Sequence, residues 1–371
     1  MINVFGSDLG EAEVKAAKEC MDSQWVGFGK IVGQFEARFS ERLGLDNFLM
    51  VDSGSNALYM ACYLLDLKPG DEIIVPSFTW VSCAQAVLMC GLKPVFADVD
   101  VNTMNVNSET ISKSITPRTK AIMIVHYAGL PCDMDPILQL GFPVIEDAAH
   151  AVDAYYKGKA CGSIGDIGIY SFDAVKNLTA IEGGGITTKC PIMAKRASQL
   201  RYCGIGKSGF DAASDDHNDA WWEYTIKEPF IKMLPTNLHA AVAIEQLKRL
   251  DQLQTKRLEM WNLYTEELKD LADVIIPRNA AAGDRHGLFT YCIRCTNRNQ
   301  LAHYLLSNDI YTTVRYHPLH LNDIYLQSSN TLEGSELLNQ TALSLPLHPR
   351  LTMSDVLYVT SKIKEFYKVS R

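Results

Sequence analysis

The sequence has no apolar run that reaches the ~18 residues a membrane-spanning helix needs. Its first residues, Met1-Ile2-Asn3-Val4-Phe5-Gly6-Ser7-Asp8, contain no basic stretch followed by an apolar one, so no secretory leader is expected. These two absences argue against a membrane partner and for a cytoplasmic location. A basic excess is missing as well: 35 Lys and Arg stand against 43 Asp and Glu, a formal charge of −8. A nucleic-acid binder would show a basic stripe, so nucleic acid is not expected as a partner. Internal repeats and low-complexity tracts are absent, which sets aside solenoid arrays and disordered tails. Metal-type spacing is lacking too. The pair in His317-Pro318-Leu319-His320 has no ligand-type neighbours, so no metal is expected, and the two histidines read as substrate-edge or structural.

Cysteine, by contrast, is plentiful. Ten are scattered along the chain, mostly inside apolar periodic segments (Cys62, Cys83, Cys90, Cys161), as buried thiols in a reducing compartment are. Cys292-Ile293-Arg294-Cys295 has the spacing of a redox or zinc pair, but such a pair needs a helix N-terminus or a second ligand pair. It sits inside Leu288 to Cys295, whose pattern predicts a strand, and the reading is structural.

At 371 residues the chain exceeds a single typical core, and 47% hydrophobic with 21% charged residues is ordinary for a globular enzyme. Amphipathic helical spacing covers Gly10 to Asp22 and Val32 to Leu43, with a glycine-punctuated loop, Trp25 to Lys30, between them. A short strand after Phe48 leads into a helix ending at Leu65. From Asp71 the pattern alternates. Strands are predicted at Glu72 to Val75, Pro94 to Ala97, Ala121 to His126, Pro143 to Glu146, Asp166 to Phe172 and Gly185 to Thr188. Helices are predicted at Ser82 to Met89, Ser108 to Ser114 and Met193 to Arg201. Several of the strands are apolar throughout, as strands buried on both faces are. The alternation implies an α/β fold, a mainly parallel sheet flanked by helices. Gly206 to Ile231, with Trp221-Trp222, is irregular, polar and long enough to suggest function. One long helix is predicted from Thr236 to about Leu271. Past it, strands at Leu288 to Cys295 and Tyr311 to Tyr316 and a closing helix at Met353 to Val369 make a smaller unit. The expected division is a large domain over residues 1–235, a linking helix over 236–271 and a small C-terminal α/β domain over 272–371.

Ligands in such folds gather at the carboxyl ends of strands, and Trp80, Asp147, Ser171 and Lys176 all lie just past predicted strand ends. A lysine becomes a Schiff-base nucleophile when burial or a nearby cation keeps its amine partly neutral. A pyridine-based cofactor held against it needs a carboxylate at its ring nitrogen, and Asp147, after the apolar Val144-Ile145-Glu146, is placed to serve. Each of these residues also has a plainer role open to it. Lys176 could be a surface lysine, Asp147 a helix cap, Trp80 a core aromatic and His150 a satisfied buried histidine. Val51-Asp52-Ser53-Gly54-Ser55-Asn56 fits both a phosphate turn at a helix N-terminus and a simple serine cap. Asp173 reads as a turn residue. Glu182-Gly183-Gly184-Gly185 allows backbone to approach closely.

Taken together and in register, these segments resemble the sugar aminotransferase family of fold-type I pyridoxal-phosphate (PLP) enzymes, the DegT/DnrJ/EryC/StrS type. The resemblance also takes in Gly33-Gln34-Phe35-Glu36, Pro69 to Trp80, Gly91 to Asp100, Ala240-Ala241 with Gln246-Leu247, and Leu345 to Pro349, nearly the whole chain. It implies a mostly parallel seven-stranded sheet with a smaller C-terminal domain, and transamination of a nucleotide-linked keto sugar with glutamate as amino donor and 2-oxoglutarate as its product. It implies that Lys176 carries the cofactor and moves the proton, Asp147 pairs with the pyridine nitrogen, Trp80 stacks on the ring and His150 meets the phenolic oxygen side. Ser55, Asn56 and Ser171 would hold the phosphate. A homodimer is implied, with each site completed by the neighbouring subunit, and Lys232 resembles a lysine that reaches the phosphate across that interface. Family members that act as sugar dehydratases carry histidine where Lys176 stands. A non-catalytic regulatory homologue and another fold-type I lyase or aldolase are the remaining alternatives.

Overall fold

The computed structural model describes residues 1–206, 222–328 and 331–369. Seven strands form the central sheet: β1 (Leu49–Val51), β2 (Glu72–Pro76), β3 (Lys93–Ala97), β4 (Thr119–Val125), β5 (Val144–Asp147), β6 (Ile167–Ser171) and β7 (Gly184–Thr188). Their order is β1-β7-β6-β5-β4-β2-β3. Neighbours from β6 through β3 are parallel, while β7 runs antiparallel to both β6 and β1. The mostly parallel seven-stranded sheet is thus present, and all six strands expected between residues 72 and 188 lie in it.

Its central strands are buried on both faces because apolar side chains occupy both pleat positions. Ile73, Val75, Met123 and Ile145 pack into a core with the helix Gly54–Leu64 on one side. Ile74, Ile122, Ile124 and Val144 pack into a second core on the other. The helix Ser82–Met89 lies where expected, and the one expected at Ser108 to Ser114 forms as Ser108–Ser112.

The long helix expected over residues 236–271 is instead two, Asn237–Lys248 and Leu250–Leu268. Arg249 between them leaves helical geometry (φ −98°, ψ 2°). Its guanidinium is drawn to the N-terminal segment, donating to the Asp8 carbonyl at 2.7 Å and pairing with the Asp8 carboxylate at 3.1 Å. The first helix packs on Glu11–Asp22 and Lys30–Leu43, the second on Met353–Val369. A separate antiparallel sheet of Val274–Ile275, Tyr291–Cys295 and Ala342–Leu345 anchors the C-terminal unit. Cys292 and Cys295 are buried free thiols on its middle strand.

Tyr311 to Tyr316, expected as a strand, makes only a bridge between Thr313 and Ser344 and then turns toward the end of the central sheet. The start of the chain runs beside it. Ile2 bridges Ile310, and Tyr311 donates its N–H to the Ile2 carbonyl at 2.9 Å.

Candidate active site

Asp147 ends β5, and period-two alternation sends it and its neighbour Glu146 to opposite sides. Glu146 is fully buried and accepts from His126 Nε2 at 2.9 Å, from the Gly162 N–H at 2.8 Å and from the Ile164 and Gly165 N–H groups. Burial alone would raise its pKa, but the hydrogen bond and charge of His126 and these amides hold it below the usual range. Glu146 therefore ties the turn after Cys161 to the sheet. Replacing it with alanine is expected to cost about 3–5 kcal/mol in urea unfolding. Its folded pKa is depressed, so its contribution is complete above the unfolded value of about 4.3 and disappears as pH falls through the lower folded value. The wild type should lose stability across that window and Glu146→Ala should be flatter there.

Asp147 faces the other way, into a cavity of about 620 Å³ at the carboxyl end of the sheet. Its Oδ1 accepts from the Ala149 N–H at 2.9 Å and its Oδ2 from Cys83 Sγ at 3.2 Å. Burial raises its pKa, against the pull of those two bonds and of Lys176. Lys176 lines the same cavity. It follows the turn in which Asp173 Oδ1 accepts the Val175 N–H at 3.1 Å, so Asp173 acts as the expected turn residue while also edging the cavity. Burial, then the charge of Arg315, lowers the Lys176 amine from 10.5 to about 8, with Asp147 opposing. Lys176 Nζ lies 4.8 Å from the Phe289 ring centroid.

His150 stacks on Phe289 with centroids 4.1 Å apart and planes 14° apart. Its Nε2 meets the Tyr316 hydroxyl at 3.1 Å, and its buried Nδ1 has no partner among the described residues. Burial, with the charges of Lys176 and Arg315, lowers its pKa well below 6.5 and keeps the ring neutral. Trp80, half exposed at 52%, flanks the cavity 5.4 Å from the Tyr316 ring.

At one end of the cavity the helix Gly54–Leu64 begins. Ser53 caps it by accepting the Asn56 N–H at 3.2 Å, so the serine cap is real. Gly54 and Ser55 still present first-turn N–H groups, which have no acceptor within a helix. The Ser55 hydroxyl lies 2.7 Å from that of Ser82, and Ser171 closes the other side. A Cβ on Gly54 would meet Ser171 Cβ at 2.8 Å, and one on Gly184 would run into the Ser53 and Gly54 backbone. These glycines let the helix end and β7 press together, as the glycine run suggested.

Of the expected site residues, Ser55, Trp80, Asp147, His150, Ser171 and Lys176 border one cavity. Asn56 does not. Its amide is turned away to Asp52, donating to the two carboxylate oxygens at 2.9 and 3.0 Å. Lys232 is exposed on a bridge to Tyr202, also outside the cavity. Phe5, Cys83 and Phe289 had not been singled out for the site, and Arg315 and Tyr316 were expected only as the start of a stretch, Arg315 to His320, that helps choose the sugar. Arg315 and Tyr316 fall in an irregular segment, and Phe289 sits where a strand core was read. His320 is structural, its Nδ1 contacting the Ser77 hydroxyl at 2.5 Å. Most of the stretch from Gly206 to Ile231, including Trp221, lies outside the described residues.

A family model for these proteins matches residues 7–364. The chain belongs to the DegT/DnrJ/EryC1/StrS aminotransferase family. A dTDP-4-dehydro-2,3,6-trideoxy-D-glucose 4-aminotransferase of Saccharopolyspora spinosa is 34% identical over 98% of this chain and 96% of its own length. GDP-perosamine synthase of Caulobacter vibrioides is 35% identical over 96% and 95%. The aminotransferase TlmJ from Streptoalloteichus hindustanus superposes with a TM-score of 0.94 at 34% identity over 100% of both chains. The protein is therefore an aminotransferase, and its family uses PLP. The cavity suits that cofactor: the anion-ready helix start, the partly neutral buried amine and the buried carboxylate supply the donors and acceptors a phosphorylated pyridine aldehyde requires.

Proposed function

We propose that this aminotransferase moves the amino group of glutamate onto a nucleotide-linked keto sugar, as a cytoplasmic homodimer. The observation that carries the reading is the meeting of Lys176 and Asp147 in one cavity with a helix N-terminus at its end. Bound there, PLP supplies an aldehyde that ferries the amino group and a ring that takes up electrons when a proton leaves carbon.

Lys176 would hold that aldehyde, and its amine, at about 8, is suited to accept and return a proton in the cavity. Asp147 would serve the ring nitrogen, whose positive N–H would favour the ionised carboxylate over the neutral one that burial favours. His150, neutral and with no partner on Nδ1 among the described residues, would hold the phenolic oxygen side, and Trp80 would cover the ring. Ser55 and Ser171 would hold the phosphate with the Gly54 and Ser55 amides. Asn56 acts at one remove, steadying Asp52 beneath the turn. Lys232 reaches the partner subunit's phosphate, and exposed Tyr224, Ile226 and Ile231 beside it favour burial of that face in a dimer.

The sugar reading draws on the substrates named for the relatives in Saccharopolyspora and Caulobacter. Its test begins with protein converted by L-glutamate to the aminated cofactor form, releasing 2-oxoglutarate. A panel of dTDP- and GDP-linked keto sugars is then added, and the aminated cofactor's absorbance followed through one turnover. At least one sugar should restore the aldehyde form with one equivalent of amino sugar. If simple 2-oxo acids restore it and no sugar does, the substrate class is wrong.

A further inference from the structure

Arg315 borders the cavity and is only 5% exposed. Its guanidinium centre lies 3.8 Å from the Phe5 ring centroid and 4.6 Å from that of Phe289. Among the described residues no carboxylate stands at ion-pair distance from it, its Nε has no hydrogen-bond partner, and Nη1 makes a long 3.4 Å contact with the Tyr316 hydroxyl. A buried cation without a counter-charge is costly. Here it also faces a second cation, since its charge is among the causes that lower Lys176 and His150. An unpaired, rigidly held guanidinium in a ligand cavity is accounted for by an anion that arrives with the ligand.

We propose that Arg315 binds the α-carboxylate of the amino donor, an α-amino acid. The proposal rests on the aminotransferase reading and adds the residue that recognises the donor. Phe5 and Phe289 fix the guanidinium, so its N–H fork is presented in a set direction to two coplanar oxygens. Lys176 Nζ lies 4.8 Å from the same Phe289 centroid, so the anchor and the reacting amine share one wall. In an α-amino acid the carboxylate is attached to the carbon that bears the transferred nitrogen, which places it next to that amine. In a nucleotide sugar the diphosphate is on the anomeric carbon, and sugar ring atoms separate it from the keto carbon. Proximity to Lys176 therefore selects the donor's carboxylate over the diphosphate. The oxo acid left after transfer keeps the same carboxylate, so Arg315 serves that half of the reaction in both directions.

The test compares wild type, Arg315→Gln and Arg315→Lys. In the PLP-loaded enzymes, the concentration of L-glutamate that half-saturates conversion to the aminated form should rise about 100-fold in Arg315→Gln, and by less in Arg315→Lys, which keeps the charge without the fork. Reaction of the aminated form with a keto-sugar nucleotide should fall far less than the glutamate half-saturation rises, because loss of the Arg315 charge alters the Lys176 amine in both half-reactions alike while the carboxylate contact is lost in only one. Calorimetry of the cofactor-free proteins adds an equilibrium measure: 2-oxoglutarate should bind the wild type and lose affinity in Arg315→Gln by much more than in Arg315→Lys. Circular dichroism shows whether each variant is folded, and if Arg315→Gln is not, Arg315→Lys decides by the same comparison. Equal glutamate and 2-oxoglutarate affinities in wild type and folded variant overturn the proposal, as does a loss confined to the nucleotide sugar. If the wild type aminates its cofactor from no amino acid, the aminotransferase reading fails separately, and the calorimetric comparison still judges Arg315.

Discussion

Lys176→Ala is expected to lower amino transfer by about 10⁴-fold or more, because the role proposed for it joins the covalent attachment and the proton relay in one side chain. The environment tells why an ordinary lysine would not suffice. Burial first, and the Arg315 charge next, bring the amine to about 8. Near pH 7.5 roughly a quarter of it is then neutral, against about one part in a thousand for an unperturbed lysine. The variant should stay folded. Lys176 forms no ion pair with Asp147 within bonding distance, and its contact over Phe289 is worth roughly 1 kcal/mol, which the release of a buried charge offsets. Borohydride should fix the cofactor's mass on the Lys176 peptide of the wild type and on no peptide of the variant. The pH dependence has a definite sign: since the pKa is lowered, capture of PLP by cofactor-free protein should quicken as pH rises and level off above about 8. A rate still climbing toward pH 10 would mean the amine is not perturbed, and residual turnover within tenfold of wild type would remove Lys176 from the chemistry.

What made this site readable in the chain is that its main parts lie at strand ends. Short apolar runs locate β2, β5 and β6, and the residues at or just past their ends, Trp80, Asp147 and the Ser171 to Lys176 segment, inherit their position from the sheet. Period two even separates Glu146 from Asp147, although nothing local says which of the adjacent carboxylates faces the cavity. That is settled by where His126 and the Gly162 to Gly165 turn fall in space. The illegible parts come from distant segments without periodicity. Phe5, Phe289 and Arg315 converge from positions 284 and 26 residues apart, and no local pattern announces that a guanidinium will be pressed between two rings. Asn56 shows the converse. At a helix start it looked like an anion ligand, yet the turn of helix that sets it on Asp52 points its amide away from the cavity. The break at Arg249 was hidden for a similar reason, since the partner its guanidinium reaches there is Asp8, 241 residues away in sequence.

Asp147→Asn should reduce turnover by about 10²–10³-fold while leaving the cofactor bound, a loss of roughly 3–4 kcal/mol of transition-state stabilisation. The carboxylate's two bonds, from Ala149 and Cys83, hold it in place without neutralising it. Its raised pKa is a consequence of burial, and in the proposed role the counter-ion that offsets it is a protonated ring nitrogen. Asparagine is close in shape, so phosphate contacts and Lys176 attachment should persist. It cannot compel the ring to stay protonated, and an unprotonated ring is a poorer acceptor of the electrons released at the donor carbon. Loss of the donor's α-proton, followed as deuterium uptake from solvent, should slow in parallel with turnover. A cofactor methylated at the ring nitrogen carries the positive charge permanently and separates electronics from packing. It should restore much of the lost deuterium exchange to Asp147→Ala, where the shortened side chain leaves room for the methyl, and give the wild type no gain. Rescue by charge alone assigns Asp147 to the ring nitrogen. Unchanged turnover in Asp147→Asn would instead leave the carboxylate a structural partner of Cys83 and the Ala149 amide.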